Sequence, residues 1–250
     1  MAYYLCFNKM LLNEAEKLAE IKGKIRDAKA AHDLYVLKEV MAGKATCIDI
    51  YALDERLRKE YDTIEQLESK ESIYAFGDNN KIVIGNCSKI EDGNIFILGN
   101  NNQIHIESKF SGVAVEFHIE EDNNKLLIDK DTSMHGRDNR NIHIALDEGT
   151  TVHIGEDCMF SNDIQIRTSD SHSIINTEKE RINPAKNIKV GNHCWLGLGC
   201  MLMKGTELAD STVVAAGAVC TKKYEHGNVV LAGNPAKVVK EKIDWDRKLL

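Results

Sequence analysis

Between Val190 and Cys220 large apolar residues return every six positions: Val190, Leu196, Leu202, Leu208, Val214 and Cys220. A helix face repeats about every 3.6 residues and a strand face every 2. Six is a multiple of two, so the local conformation is extended, and the interruption at each sixth residue marks a corner. The positions four after each large residue are small: Cys194, Cys200, Thr206, Thr212 and Ala218. Those directly after the large residue are mostly small too, with Gly191, Gly197, Ala209 and Ala215 joined by Met203. Bulk fills the middle of a narrow coil, and small residues sit where the backbone bends. This is the periodicity of a parallel β-helix, whose repeats stack on one another and are not stable alone.

The same register runs through Ile154, Phe160 and Ile166, is broken over residues 168–187, "TSDSHSIINTEKERINPAKN", and resumes at Val190. Upstream, from about Ile73, short β-rich runs such as "KIVIGN" and "GVAVEFHI" are separated by Gly and Asn. Asn and Gly suit turn and left-handed backbone there. The six-residue register is loose in this part: Ile84 to Ile90 fits, then Leu98 to Ile104, with two extra residues between. Residues 9–70 carry apolar positions at helical spacing (Leu11, Leu18, Ile25; Leu34, Leu37, Met41) and read as helices packing on their own domain. Pro235 ends the coil, and "AKVVKEKIDWDRKLL" reads as a C-terminal helix or tail with Trp245 as a packing residue. The expected organisation is a mainly β chain: a helical region over 1–72, a parallel β-helix over 73–236 with a protruding loop at 168–187, and a C-terminal helix or tail over 237–250.

Composition narrows the field. Of 250 residues, 43% are hydrophobic, enough for a sizeable core, and the net charge is −7 from 32 basic and 39 acidic residues. No basic stripe with interleaved aromatics is present, so nucleic acid is not an expected partner. The N-terminal stretch has no basic leader and no apolar run approaches a membrane span, so neither a signal peptide nor a transmembrane segment is expected. The seven cysteines are scattered, with no CxxC and no zinc-like spacing, which points to reduced thiols in the cytoplasm and to no metal.

The break at 168–187 is where chemistry is expected. A solenoid gains nothing structurally from a polar excursion of this length, and insertions in repeat proteins commonly carry the binding face. His172 lies inside it. An imidazole titrating near neutrality can remove a proton from an alcohol. Asp170, two residues earlier, would share its side in an extended segment and either orients the ring, holds an acceptor or simply forms a turn.

The repeats, the loop containing "SDSH", the following "GNHCWLG", then "AAGAVCTK" and "AGNPAKVVKE" together resemble the hexapeptide-repeat acyltransferases. The pattern is closest to the branch that O-acetylates sugars of bacterial surface polysaccharides. The resemblance covers roughly residues 140–245, is weaker over 73–140, and does not reach the N-terminal region. It implies a left-handed coil, a cytoplasmic homotrimer with active sites between subunits, and acetyl-CoA as co-substrate. Association with the inner face of the membrane through polysaccharide-assembly partners is left open. It also implies that His172 is the general base and that Trp195, 23 residues on, belongs to the active site, its indole offering a face and one N–H. A backbone N–H near Gly197 is a candidate oxyanion donor. Ala215, Ala216 and Gly217 leave room for a pantetheine arm, and Lys222 and Lys237 are candidate phosphate contacts. Asn162, one coil before the loop, and Arg181, within it, are candidate acceptor contacts.

Three rivals remain at this stage. A γ-type carbonic anhydrase shares the coil, but it needs two zinc-binding histidines a few residues apart, and here the nearest pair is eight apart. A non-catalytic β-helix scaffold or binding subunit would not need His172 and Trp195. An N-acetyltransferase of an amino-sugar nucleotide often carries a Gly-rich nucleotide-binding domain, which the N-terminal region lacks.

Overall fold

The computed structural model describes residues 3–6, 72–137 and 141–249. Among them there are strands and turns and no helix. The chain visits three sheets in rotation. The first holds Ser72–Phe76, Asn94–Leu98, Val115–Glu120, Ile142–Leu146, Gln165–Arg167, Met201–Met203 and Val219–Cys220. The second runs from Lys81–Ile84 through Gln103–Ile106, Lys125–Ile128, Thr151–Ile154, Ile188–Val190 and Glu207–Leu208 to Lys223–Tyr224. The third runs from Lys89–Glu91 through Ser111–Val113, Ser133–His135, Met159–Phe160, Trp195–Leu196 and Val213–Val214 to Val229–Ala232. Each winding contributes one strand to each sheet, and within the coil neighbouring strands are parallel.

Two antiparallel strands flank the coil. Tyr3–Cys6 pairs with Lys81–Ile84, and Lys237–Glu241 pairs back on Val229–Ala232. The C-terminal stretch is therefore not a helix. Its first five residues are a strand with every position exposed, added to the free edge of the third sheet. The helical reading of 9–70 lies outside the described residues.

Alternation within each strand makes the core. In Val115–Glu120, Val115, Phe117 and Ile119 are buried while Glu116, His118 and Glu120 face outward. Stacking then builds columns: Ile95, Phe117, Ile144, Ile166, Leu202 and Cys220 lie over one another through the first sheet. Full burial of one such aliphatic or aromatic side chain contributes about 1.5–3 kcal/mol. A polar substitution in a column would leave an unpaired group between two apolar neighbours.

The loose upstream register has a physical cause. Windings before the break step by 22 residues, as between Asn102 and Asn124, except the one that leads from Asn124 to Thr150, which takes 26. After it they shorten to 18, as between Asn192 and Asp210. The extra residues sit in longer first-sheet strands and in an Asn-bearing corner. Leu98 is correspondingly not an inner position; Ile95 and Ile97 are buried in its strand.

At that corner Asn80, Asn102 and Asn124 are all buried. Asn80 Oδ1 accepts the Asn102 N–H at 3.0 Å, and Asn102 Oδ1 accepts the Asn124 N–H at 2.8 Å. Asn124 Oδ1 takes the Thr150 N–H at 2.9 Å, and Thr150 meets Thr168 hydroxyl to hydroxyl at 2.7 Å. The ladder satisfies backbone groups that the corner would otherwise orphan. It ends at the root of the 168–187 excursion. Beside it, Gly77 and Gly99 have φ of 120° and 144°, and a Cβ on Gly99 would fall 1.9 Å from the Glu121 carbonyl oxygen. No other residue fits those positions without moving backbone.

Candidate active site

The excursion leaves the first sheet after Arg167 and rejoins the second at Ile188. Its neck is closed by the Lys186 N–H donating to the Thr168 carbonyl at 3.0 Å. Beyond the neck it doubles back on itself: Ile182 N–H donates to the Ile174 carbonyl at 2.9 Å, Ile175 bridges Arg181, and Asn176 N–H reaches the Glu180 carbonyl at 2.9 Å. The exposed sides of this small hairpin carry Ile174, Ile175 and Ile182, each more than half accessible.

His172 stands at the base of the hairpin with its side chain exposed. Its segment is fixed by Asn183. The Asn183 side-chain amide donates to the His172 carbonyl at 2.8 Å and to Asp170 Oδ2 at 2.7 Å, while its own oxygen accepts the Ile174 N–H at 2.7 Å. Lys204, on the next winding, donates to the same Asp170 oxygen at 2.5 Å and to the Asn183 carbonyl at 3.0 Å. These hydrogen bonds, from Lys204 first and Asn183 second, hold the Asp170 carboxyl below the ordinary carboxylate range. Asp170 thus anchors the loop to the coil through Lys204 and Asn183.

Arg181 makes a second anchor. Its guanidinium grips Glu148 on the preceding winding in a bidentate pair at 2.8 and 2.5 Å. Ser169 donates to the same carboxylate at 3.0 Å. The Arg181 bond first, and the Ser169 bond, keep Glu148 below its usual value. The guanidinium expected to meet an acceptor is occupied in tying the loop down. Arg167 completes the set by donating to the Ser171 hydroxyl at 3.2 Å, beside His172.

A second group of expected residues shares the corner between the third and first sheets. Gly217 N–H donates to the Leu198 carbonyl, and Gly199 N–H to the Asn162 carbonyl, at 2.8 and 3.0 Å. Asn162, Gly197 and Ala215–Gly217 therefore stack on successive windings, and Lys237 begins the return strand above them. Gly197 is packed close, since a Cβ there would lie 2.8 Å from the Val214 carbonyl oxygen, whereas one on Gly217 would meet open space. Asn162 Oδ1 is buried without a hydrogen-bond partner among the described residues. Lys222 lies apart, between Val219–Cys220 and Lys223–Tyr224, with its ammonium 5.7 Å from the Tyr224 ring centre.

Trp195 is on the third sheet, about two-fifths exposed. It packs at 6.2 Å on buried Trp245, which stacks on His193 at 4.3 Å and donates its indole N–H to the His193 carbonyl at 2.8 Å. The His172 corner lies between the first and second sheets, so Trp195 is on the face opposite it. One chain does not bring the two together.

The coil and loop can now be set against known proteins. No family model matches the chain. The chain is 34% identical over 184 residues to a polysialic acid O-acetyltransferase of Neisseria meningitidis, covering 73% of this chain and 83% of that one. It is 32% identical over 146 residues to a polysialic acid O-acetyltransferase of Escherichia coli, covering 58% of this chain and 44% of the relative. A crystal structure of a polysialic acid O-acetyltransferase superposes with a TM-score of 0.61 at 32% identity, over 73% of this chain and 90% of that one. The chain belongs to the hexapeptide-repeat O-acetyltransferases. Its coil is the left-handed parallel β-helix of that family, and it is an acetyltransferase. No helix among the described residues is long and apolar enough to cross a membrane.

In this acetyltransferase Asn183, Lys204 and Glu148 hold the loop, and none was among the expected residues. Asn183 lies in the excursion and was open to suspicion as a polar residue ahead of Pro184. Lys204 and Glu148 are single charged positions in the turns that follow Met201–Met203 and Ile142–Leu146, and only the stacking of windings places them at the loop.

Proposed function

We propose that this acetyltransferase moves an acetyl group from acetyl-CoA to a hydroxyl of a sialic acid-type sugar in a bacterial surface polysaccharide or its precursor. The likeness to the meningococcal polysialic acid O-acetyltransferase, 34% identical over 73% of the chain, carries the acceptor class. In this reading His172 takes the proton of the acceptor hydroxyl as its oxygen attacks the thioester carbon. The new C–O bond forms, the C–S bond breaks, and the imidazolium returns the proton to the departing thiolate. Asp170 and Asn183 act by fixing the backbone that presents the ring.

The corner of Asn162, Gly197 and Ala215–Gly217 suits the pantetheine arm of the co-substrate. Open space at Gly217 admits it, and the unpartnered Asn162 oxygen is an acceptor for an N–H or O–H of a ligand. The Gly197 N–H donates to the Val214 carbonyl at 2.8 Å, so Gly197 contributes close packing to this corner and no oxyanion donor of its own. Lys237, at the same corner, offers charge to phosphates. His172 and Trp195 lie on opposite sides of one coil, so a complete site takes loop and face from neighbouring copies. A homotrimer meets that need, and exposed Ile174, Ile175 and Ile182 give the hairpin an apolar surface to set against its neighbour.

An assay of thiol release from acetyl-CoA against a panel of polysaccharides tests the acceptor. Polysialic acid and its oligomers should support turnover and yield an O-acetyl ester lost on mild base. Turnover confined to amine acceptors, or to neutral glycans, would contradict the reading.

A further inference from the structure

The outer surface of the first sheet carries a second group of chemical side chains that the transfer reaction does not use. Val115–Glu120 and Ile142–Leu146 are neighbours, with Glu116 opposite His143 and His118 opposite Ala145. Glu116, His118 and His143 therefore converge on one patch, half-buried, and a ligating atom from each lies within 4.8 Å of the others. The loop of His172 springs from the same sheet on the next winding, after Gln165–Arg167.

Each imidazole is held by a further group. Gln165 Oε1, an acceptor, sits 3.1 Å from His143 Nδ1. That nitrogen carries the proton, and Nε2 keeps its lone pair. Glu120 Oε1 sits 2.9 Å from His118 Nε2, which leaves the Nδ1 lone pair of His118 available. Phe96 stacks on the His118 ring at 4.8 Å, and the two imidazoles meet edge to face at 6.0 Å. Histidines that ligate metal characteristically donate their other N–H to a carboxylate or carbonyl, which fixes tautomer and orientation. Both histidines here have that second partner.

We propose that Glu116, His118 and His143 bind a divalent cation of the zinc type, with Gln165 and Glu120 as the outer partners that aim the two rings. Two imidazoles and one carboxylate suit zinc, with bonds of about 2.0–2.2 Å. Side-chain rotations of roughly an ångström close the cluster to that size. Three protein donors leave a coordination position toward solvent, where an oxygen ligand lying across the first sheet completes the shell. The sequence conceals the site because its histidines are 25 positions apart and meet only through the 27-residue step between these windings, from Val115 to Ile142.

Titration of tag-free, metal-stripped full chain with Zn²⁺, followed by calorimetry and by the visible absorption of the Co²⁺ form, tests the proposal. One ion per chain should bind, and the His118→Ala and His143→Ala variants should lose it. Glu116→Gln, which preserves shape, should weaken it at least tenfold, and Gln165→Leu about tenfold. The loop variant His172→Ala should bind as the parent does. Absence of binding by the parent chain, or equal binding by a His118→Ala/His143→Ala double variant with a parent-like circular dichroism spectrum, would overturn it.

Discussion

At the scale of single residues, Asn183 matters most after His172 in the proposed mechanism. Its amide reaches Asp170 and the His172 carbonyl, and its oxygen takes the Ile174 N–H. It touches no reacting atom in the proposed mechanism, so it is a positioning residue. Asn183→Ala should lower kcat by about tenfold or more, since misplacing a catalytic group by about an ångström is costly. The KM for acetyl-CoA should barely move, and Asn183→Asp should recover less than half of the loss because it cannot donate to Asp170. Steady-state kinetics on the folded variants decide this. A rise in KM for acetyl-CoA with kcat unchanged would assign Asn183 to co-substrate binding.

Residue type explains what was legible at this scale. His172 stood out because it sits in the one long break of a six-residue register. Arg181 stood out too, but its guanidinium meets Glu148, 33 positions away, a pairing with no periodic trace. Lys204 meets Asp170 across 34 positions for the same reason.

At the scale of elements, the Asn80–Asn102–Asn124 ladder sets how the long windings turn. The 22-residue spacing was present in the sequence, yet it acquires meaning only once the winding length is known. Asn102 both accepts the Asn124 N–H and donates its side-chain amide to the Glu121 carbonyl at 2.9 Å. Asn102→Leu should cost about 1–3 kcal/mol for each buried group left unpaired. Calorimetric melting should show a clear fall in Tm, and an unchanged Tm would mean the ladder adds nothing.

The loop element is expected to respond to pH in a defined direction. Asp170 and Glu148 are both held below the ordinary carboxylate pKa of about 4. Their contribution to closing the loop is complete above that ordinary value. It fades as pH falls through the depressed folded values, when the carboxylates take up protons. Hydrogen exchange across 168–187, corrected for intrinsic rate, should stay slow from pH 7 to about 5 and accelerate only below about 4. Loss of protection between pH 7 and 5 would contradict the two anchors. The C-terminal "KVVKE" strand shows the limit of local reading. Five residues carry no period long enough to separate helix from strand, and the open edge of the third sheet decided it.

At the scale of the molecule, the six-residue repeat was legible because a solenoid is built from nearest-neighbour windings. Spacing within Val190–Cys220 already contains the stacking of Leu196 under Val214 and of Leu202 under Cys220. What no single winding can encode is the site proposed above to be shared between copies, because His172 and Trp195 lie on opposite sides of one coil. The coil thus acts as a rigid post, and the pinned excursion holds an imidazole out from it. The most direct test of that arrangement is the rate of acetyl transfer by His172→Ala with polysialic acid as acceptor. The account predicts a fall of about 10²–10⁴-fold, with the circular dichroism spectrum and melting temperature of the parent retained. A His172→Ala protein that transfers acetyl at the parent's rate would contradict it.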